Sequence, residues 1–281
     1  MNIFYAIILG IIQGITEFLP VSSTAHLTLA GKIFGVVQST DPEDWTAFMA
    51  IMQLGTVAAV IAHFSKDYLI MGKYFLNDYT AGRLKNYSQW STETRLALLV
   101  VIGTIPVVIV GLLFKDIIEG TFTKEISTIA TSLIALAVLL FLAEKVGKHN
   151  RDEQHTNWVD ALIVGFAQAV ALIPGSSRSG TTITAGLFRN LDRETAARFS
   201  FHLSIPAVLA SGLYELYHSL HHVGDLGLMP LIVSTTVAGI IGYWSISFLL
   251  KFLQKHTTYV FIFYRIILGA VLWGLLLTRY F

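Results

Sequence analysis

Leu19-Pro20-Val21-Ser22-Ser23-Thr24 and, far along the chain, Ile173-Pro174-Gly175-Ser176-Ser177-Arg178-Ser179-Gly180 interrupt two otherwise apolar segments, about 3–30 and about 158–188. Proline removes a backbone donor and clashes with the preceding turn, and the serines that follow are good caps for a new helix. Each segment therefore reads as helix, break, helix. Neither half makes a comfortable crossing of a hydrocarbon core, which takes about 20 helical residues. The breaks also look like copies. Gly10-x-x-Gln13 … Pro20-x-Ser22-Ser23 aligns with Gly165-x-x-Gln168 … Pro174-x-Ser176-Ser177 at an offset of 155 that falls to 154, and Phe48 through Val57 resembles Phe199 through Val208 at an offset of 151.

Between and beyond the breaks lie six stretches apolar enough to span alone, roughly 46–64, 94–114, 126–143, 199–217, 229–249 and 260–278. The 281 residues are 54% hydrophobic and 13% charged, with a mean hydropathy of +0.65, where soluble domains carry about a quarter charged residues. An ordinary soluble globule is excluded. Zero cysteines exclude disulfides, thiolate metal sites and cysteine nucleophiles, and a net charge of +1 with dispersed basic residues argues against nucleic acid as a partner. The apolar run from Ile3 to Ile12 imitates a signal-peptide core, but no Lys or Arg precedes Lys32, so it reads as mature structure.

The expected fold is an all-α polytopic membrane protein, one membrane domain built as an inverted repeat with halves at about 1–145 and 155–281. It comprises six transmembrane helices and two re-entrant helix-break-helix hairpins. If each hairpin returns to the side it entered from, each half crosses three times and the second half is inverted. Placing the loop 65–95 inside puts thirteen basic residues there: Lys66, Lys73, Arg83, Lys85, Arg95, Lys145, Lys148, Arg151, Arg189, Arg193, Arg198, Lys251 and Lys255. Lys32, Lys115, Lys124 and Arg279 fall outside, and Arg178 and Arg265 at membrane depth. Cytoplasmic loops collect Lys and Arg, so both termini are expected to face outward. The 65–95 loop, with Tyr68, Tyr74, Phe75, Tyr79, Tyr87 and Trp90, reads as an interfacial segment on headgroups. Facing broken helices of an inverted repeat are where membrane binding sites form.

Ionisable groups inside a bilayer cost about 2.5–3.5 kcal/mol each on insertion scales and are functional candidates by default. Hairpin one holds Gln13, Glu17 and His26; hairpin two holds Gln168 and Arg178. Gln13 and Glu17 are four apart and share a helix face, and Ser23 and His26 share one if a helix restarts near Ser22. A carboxylate, a hydroxyl and an imidazole then converge. Around Arg178 the small residues and a restarting helix expose N–H groups suited to phosphate or another anion, and the guanidinium fork matches phosphate oxygens. Plainer readings stand beside these. His26 can be a hydrogen-bonded structural residue, Glu17 and Arg178 a buried ion pair, Ser22 and Ser176 helix caps, and Gln13 and Gln168 bridges between helices. Arg265 reads as an interfacial residue that snorkels.

At these positions the sequence resembles the bacterial undecaprenyl pyrophosphate phosphatase family associated with bacitracin resistance, over nearly the whole chain. The resemblance rests on Gln13-Gly-Ile-Thr-Glu17-Phe-Leu-Pro-Val-Ser22-Ser23-Thr24-Ala25-His26 and on Pro174 through Gly180, with Gln53-Leu54-Gly55, Phe201 to Pro206 and Tyr264-Arg265 as further matches. It implies a phosphatase in the bacterial inner membrane that cleaves a polyprenyl diphosphate lipid to the monophosphate and phosphate; the charge count, for its part, has the site opening outward. Glu17, Ser23, His26 and Arg178 are the implied catalytic residues, and Gln13, Ser22, Thr24, Ser177 and Ser179 the implied lining. A divalent cation, Mg or Ca, is implied, with Glu17 as a ligand. Many members have Glu where this chain has Gln13, which neither titrates nor binds cations well. Ser23 is the first choice of nucleophile with His26 as base and Glu17 orienting it; a phosphohistidine on His26, or water activated by it, is the second. A flippase or ion-coupled transporter is the competing class, and a homodimer is left open.

Overall fold

The computed structural model describes residues 1–37, 40–114, 125–219 and 227–278; of the outward-assigned basic residues, Lys115, Lys124 and Arg279 lie outside these. Among the described residues there are eleven α-helices: α1 (Ile3–Thr16), α2 (Ser23–Ile33), α3 (Pro42–His63), α4 (Ser65–Thr80), α5 (Thr92–Leu113), α6 (Ile126–Val146), α7 (Trp158–Val170), α8 (Arg178–Phe188), α9 (Arg193–Ser219), α10 (Leu228–Leu253) and α11 (Tyr259–Leu277). The chain is an all-α polytopic protein. Five of the helices are long and apolar enough to cross a membrane: α3, α5, α6, α10 and α11.

The sixth expected span, 199–217, lies within α9, which is long but not among those five. The reason is its position. It packs against α3, α5, α8 and α10, and its Ser200, His202 and Ser204 are buried among them. A helix shielded by neighbours tolerates polar residues that a lipid-facing one does not.

Both breaks fall where proline and serine predicted. α1 and α7 are short apolar helices, and each packs on the helix that follows its break, α2 and α8 respectively. The restart is the same in both. Ser22 and Ser177 sit at φ 75° and 66° with ψ 99° and 108°, a positive-φ conformation that non-glycine residues enter at a cost of roughly 1–3 kcal/mol. Each hydroxyl accepts the amide three residues on, Ala25 at 3.3 Å and Gly180 at 3.2 Å. The second cap is therefore Ser177 and not Ser176, whose buried hydroxyl has no hydrogen-bond partner. The two caps stand 155 residues apart, while the two prolines stand 154 apart.

Packing partners are exchanged between the halves in the same sense. α1 lies on α10 and α7 on α5; α3 lies on α10 and α9 on α5. Gly10 and Gly165 make the α1 and α7 contacts close. A Cβ on Gly10 would stand 2.6 Å from the Ser234 carbonyl oxygen, and one on Gly165 2.2 Å from that of Gly103. Helices associate in lipid through such close approach of small residues.

At one end of the bundle four arginines are tied down. Arg151 and Arg189 meet Asp160 at 2.5 and 2.6 Å, Arg193 meets Glu144, and Arg198 meets Asp67 at 2.6 Å and Glu153 at 3.4 Å. The expected interfacial loop is the helix α4, exposing Leu69, Leu76 and Tyr79, followed by short turns. Asp78 gathers this loop by accepting the Ser91 amide (2.9 Å) and the hydroxyls of Thr94 and Ser91 (2.8 Å each).

Gly165→Val should lower the thermal unfolding midpoint in detergent, as an overpacking of about 1–3 kcal/mol, whereas Gly72→Ala, with open space around it, should leave the midpoint unchanged. The Ser91 amide first, then the Thr94 hydroxyl, hold the Asp78 carboxyl down at about 2. A depressed carboxylate stabilises above its unfolded value near 3.9 and loses that contribution as pH falls through its folded value. Limited proteolysis between Ser65 and Ser91 should therefore accelerate between about pH 4 and pH 2, and Asp78→Asn should abolish the pH step.

Candidate active site

The two breaks meet tip to tip. Arg178 Nη2 donates to Glu17 Oε1 at 2.9 Å, and Ser179 Oγ donates to the Leu19 carbonyl at 3.1 Å. Glu17 follows α1 directly, and Arg178 is the first residue of α8, so the ends of two helices deliver the pair. The ion pair is nearly sealed, with side-chain exposures of 4% for Glu17 and 14% for Arg178; burying charge at this depth requires pairing.

Glu17 is the hub. Its Oε2 accepts Gln13 Nε2 at 3.0 Å and Ser23 Oγ at 2.8 Å. The four-residue spacing of Gln13 and Glu17 thus produces the shared face read from the sequence. Ser23 stands at the start of α2, half-buried, with its proton directed at the carboxylate.

His26 is placed differently from expectation. Its Nδ1 is 2.7 Å from the Ser22 carbonyl and its Nε2 is 2.6 Å from the Tyr264 hydroxyl, with the two rings stacked at 5.6 Å and 8°. The hydrogen bonds of Glu17 go to Gln13, Ser23 and Arg178, so Glu17 does not orient His26, and the Ser23 proton points to Glu17, not to the imidazole. The turn of α2 explains this. A side chain three residues beyond Ser23 folds back onto the Ser22 carbonyl, which the helix itself bonds only at 3.4 Å.

The remaining sequence candidates sort by burial. Ser22 and Ser177 are buried and spend their hydroxyls as caps, while Ser177 Oγ also lies 3.3 Å from Ser179 Oγ. Thr24 is half-buried beside Ser23. Gln13 Oε1, Ser176 Oγ and Arg178 Nε and Nη1 are buried and without a partner, as are both ends of the Gln168 amide, which bridges no helices. Arg178 therefore holds Glu17 through one nitrogen and keeps two others unspent. That is a guanidinium prepared for a further anion.

Two residues of α11 join the site. Tyr264 reaches His26 as described. Arg265 is fully buried, donates through Nη2 to the Ser176 carbonyl at 2.8 Å, and would have its Nη1 2.5 Å from a Cβ at Gly180. The expected snorkelling position of Arg265 is corrected: it lies beneath the second break. An arginine in the apolar run of α11 was the available signal, since a charge there needs a buried partner.

Among the described residues no group of three or more His, Asp or Glu lies together as a metal cage. The oxygens on offer at the site are Glu17, the unpartnered Gln13 Oε1 and the Ser23 hydroxyl. A hard cation that takes its other ligands from phosphate and water fits this set.

Breaking the ion pair from one side should cost about 3–5 kcal/mol, because the other charge is stranded. In a double-mutant cycle read by thermal unfolding, Glu17→Gln with Arg178→Gln should be more stable than Arg178→Gln alone. Additive losses would show that the pair is not coupled.

A family model described as "Bacitracin resistance protein BacA" matches residues 6–271. A protein of Syntrophobacter fumaroxidans named undecaprenyl-diphosphatase is 50% identical over 274 residues, 97% of each chain. Proteins of the same name from Chlorobium limicola and Chlorobaculum tepidum are each 48% identical, over 96% of this chain and 95% of theirs.

Proposed function

The chain belongs to the bacitracin resistance protein BacA family, and on that membership and the geometry around Glu17 we propose that it is an undecaprenyl-diphosphatase. It hydrolyses undecaprenyl diphosphate to undecaprenyl phosphate and inorganic phosphate, returning the lipid carrier to cell-wall synthesis and lowering sensitivity to bacitracin. The observation that carries this reading is one buried carboxylate hydrogen-bonded to a hydroxyl and to an arginine with two unspent donors.

The terminal phosphate enters against Arg178 Nε and Nη1 and the first amides of α8, while Nη2 stays on Glu17. Charge developing on the phosphoryl oxygens is stabilised by these fixed donors. Ser23 Oγ attacks the terminal phosphorus, its proton passing to Glu17 Oε2. Glu17 gives the proton to the departing undecaprenyl phosphate as the bridging P–O bond breaks; water then attacks the phosphoserine, its hydroxyl going to phosphorus and its other hydrogen to Ser23 Oγ, releasing phosphate and restoring Ser23. This assigns the proton of Ser23 to Glu17, in place of the His26 route expected from spacing. Gln13 steadies Glu17 through its amide, Thr24 and Ser179 line the pocket, and Ser22 and Ser177 fix the helix starts from which Ser23 and Arg178 project. A divalent cation, Mg or Ca, would be held by Glu17 and Gln13 Oε1 together with diphosphate oxygens, and would neutralise the charge of the diphosphate.

The membrane setting completes the proposal. The protein is a multi-pass component of the bacterial inner membrane, built from two inverted halves with hairpins α1–α2 and α7–α8 re-entrant. In this reading the clustered arginines lie at the cytoplasmic end, in keeping with the tendency of basic residues to collect there, the site opens outward, and the prenyl chain lies among the lipid-facing helices.

Detergent-purified protein should release phosphate from undecaprenyl diphosphate in the presence of Mg or Ca and stop on chelation. Ser23→Ala and Arg178→Ala should each reduce kcat by at least about a hundredfold with the helical content retained. Normal turnover by Ser23→Ala would remove that residue as nucleophile.

A further inference from the structure

The helix α11 sends two neighbouring side chains to different hairpins: Tyr264 to His26 in the first, Arg265 to the Ser176 carbonyl in the second. Arg265 is sealed in place. Tyr264 is 44% exposed, yet its hydroxyl turns inward to the imidazole.

The chemistry of the partners fixes the protons. A carbonyl only accepts, so the 2.7 Å contact with Ser22 places a hydrogen on His26 Nδ1. The neutral ring then carries its lone pair on Nε2, and the Tyr264 hydroxyl donates to it. Both nitrogens are committed, one to the backbone of the first break and one to α11.

The backbone shows what this accomplishes. The first helical bond of α2, from the His26 amide to the Ser22 carbonyl, is stretched to 3.4 Å, at the edge of useful hydrogen-bond length. Ser22 is also held at φ 75°. The imidazole supplies the short bond to that carbonyl that the helix does not make. Directly after this carbonyl comes Ser23, the first residue of α2, whose hydroxyl stands 2.8 Å from Glu17.

We propose that His26 and Tyr264 form a latch that closes the first turn of α2 onto the Ser22 carbonyl and so positions Ser23. The inference rests on the phosphatase reading for its consequence, and on the geometry alone for its existence. His26 and Tyr264 are positioning residues in this scheme. The phenol hydroxyl suits the task because it donates to neutral imidazole and accepts from imidazolium, holding the ring in either protonation state.

The test uses the full chain in detergent with three variants, Tyr264→Phe, His26→Asn and His26→Gln. It reads phosphate release from undecaprenyl diphosphate and amide hydrogen exchange across residues 23–27. Asn places an amide N–H near the position of imidazole Nδ1, whereas Gln places one near Nε2. The latch requires that Tyr264→Phe and His26→Gln lower kcat about ten- to a hundredfold with KM within about twofold, and speed exchange at 23–27. It requires that His26→Asn, which offers an N–H to the Ser22 carbonyl but no longer reaches Tyr264, lose no more kcat and exchange no faster than Tyr264→Phe. If His26→Asn loses more kcat than Tyr264→Phe while its exchange stays slow, the imidazole acts chemically and the latch is overturned. Should His26→Asn fail to fold, Tyr264→Phe decides, and wild-type kcat and exchange in that variant overturn the proposal. A wild-type protein that releases no phosphate, with Tyr264→Phe still speeding exchange, sinks the phosphatase reading and leaves the latch standing.

Discussion

A single carboxylate ties together two breaks that lie far apart in the chain. Glu17 sits at the end of one short helix and meets Arg178 at the start of another, 161 residues away, where little water reaches either. Desolvating two charges is expensive, and their attraction offsets that cost only when the geometry is good and the leftover hydrogen-bonding capacity is used. Gln13 and Ser23 use it on the carboxylate side. On the arginine side the capacity is left open. The asymmetry is the functional content of the site: one end of the pair is held by three hydrogen bonds, and the other still has donors that an anion can take.

The neighbouring helices make this arrangement affordable. α1 and α7 approach their partners α10 and α5 closely enough that a glycine is needed at each contact, and α9, screened from lipid on several sides, carries the hydroxyl of Ser200 to Thr182 of α8 at 2.6 Å. Phe18, inside the first break, packs edge-on against Phe201 of α9 at 5.2 Å. Apolar and polar contacts thus converge on the same short stretches of irregular backbone. That is the condition under which irregular backbone survives buried away from water.

Much of this was readable in advance. The Pro-Ser breaks, the shared face of Gln13 and Glu17 and the meeting of Glu17 with Arg178 follow from spacing and from the cost of intramembrane charge. Tyr264 was not assigned a role because its partner lies 238 residues away and nothing local marks it. Arg265 was misread because a helix-end arginine in an apolar run has two homes, the headgroup layer and a buried carbonyl, and only tertiary packing chooses. The capping serines of the two breaks stand 155 residues apart and the prolines 154. The prolines mark where a helix stops, while the serine at positive φ marks where the next begins, and the two markers are spaced differently in the two breaks. His26 deviated because a carbonyl at a helix start is a nearer acceptor than a hydroxyl three residues back.

The caps Ser22 and Ser177 bear on which sequences this fold can explore. Glycine would relax the torsion but surrender the hydroxyl; alanine would lose the hydroxyl and keep the torsion; valine, threonine or isoleucine would add a β-branch where even one substituent is crowded. Asparagine tolerates the conformation and can still accept an amide, though its larger head must fit in a tightly enclosed pocket, and aspartate would bring a negative charge to where an anion has to dock. Serine is the narrow compromise at both positions, so mutational drift through these two codons is constrained by backbone shape before any question of chemistry arises.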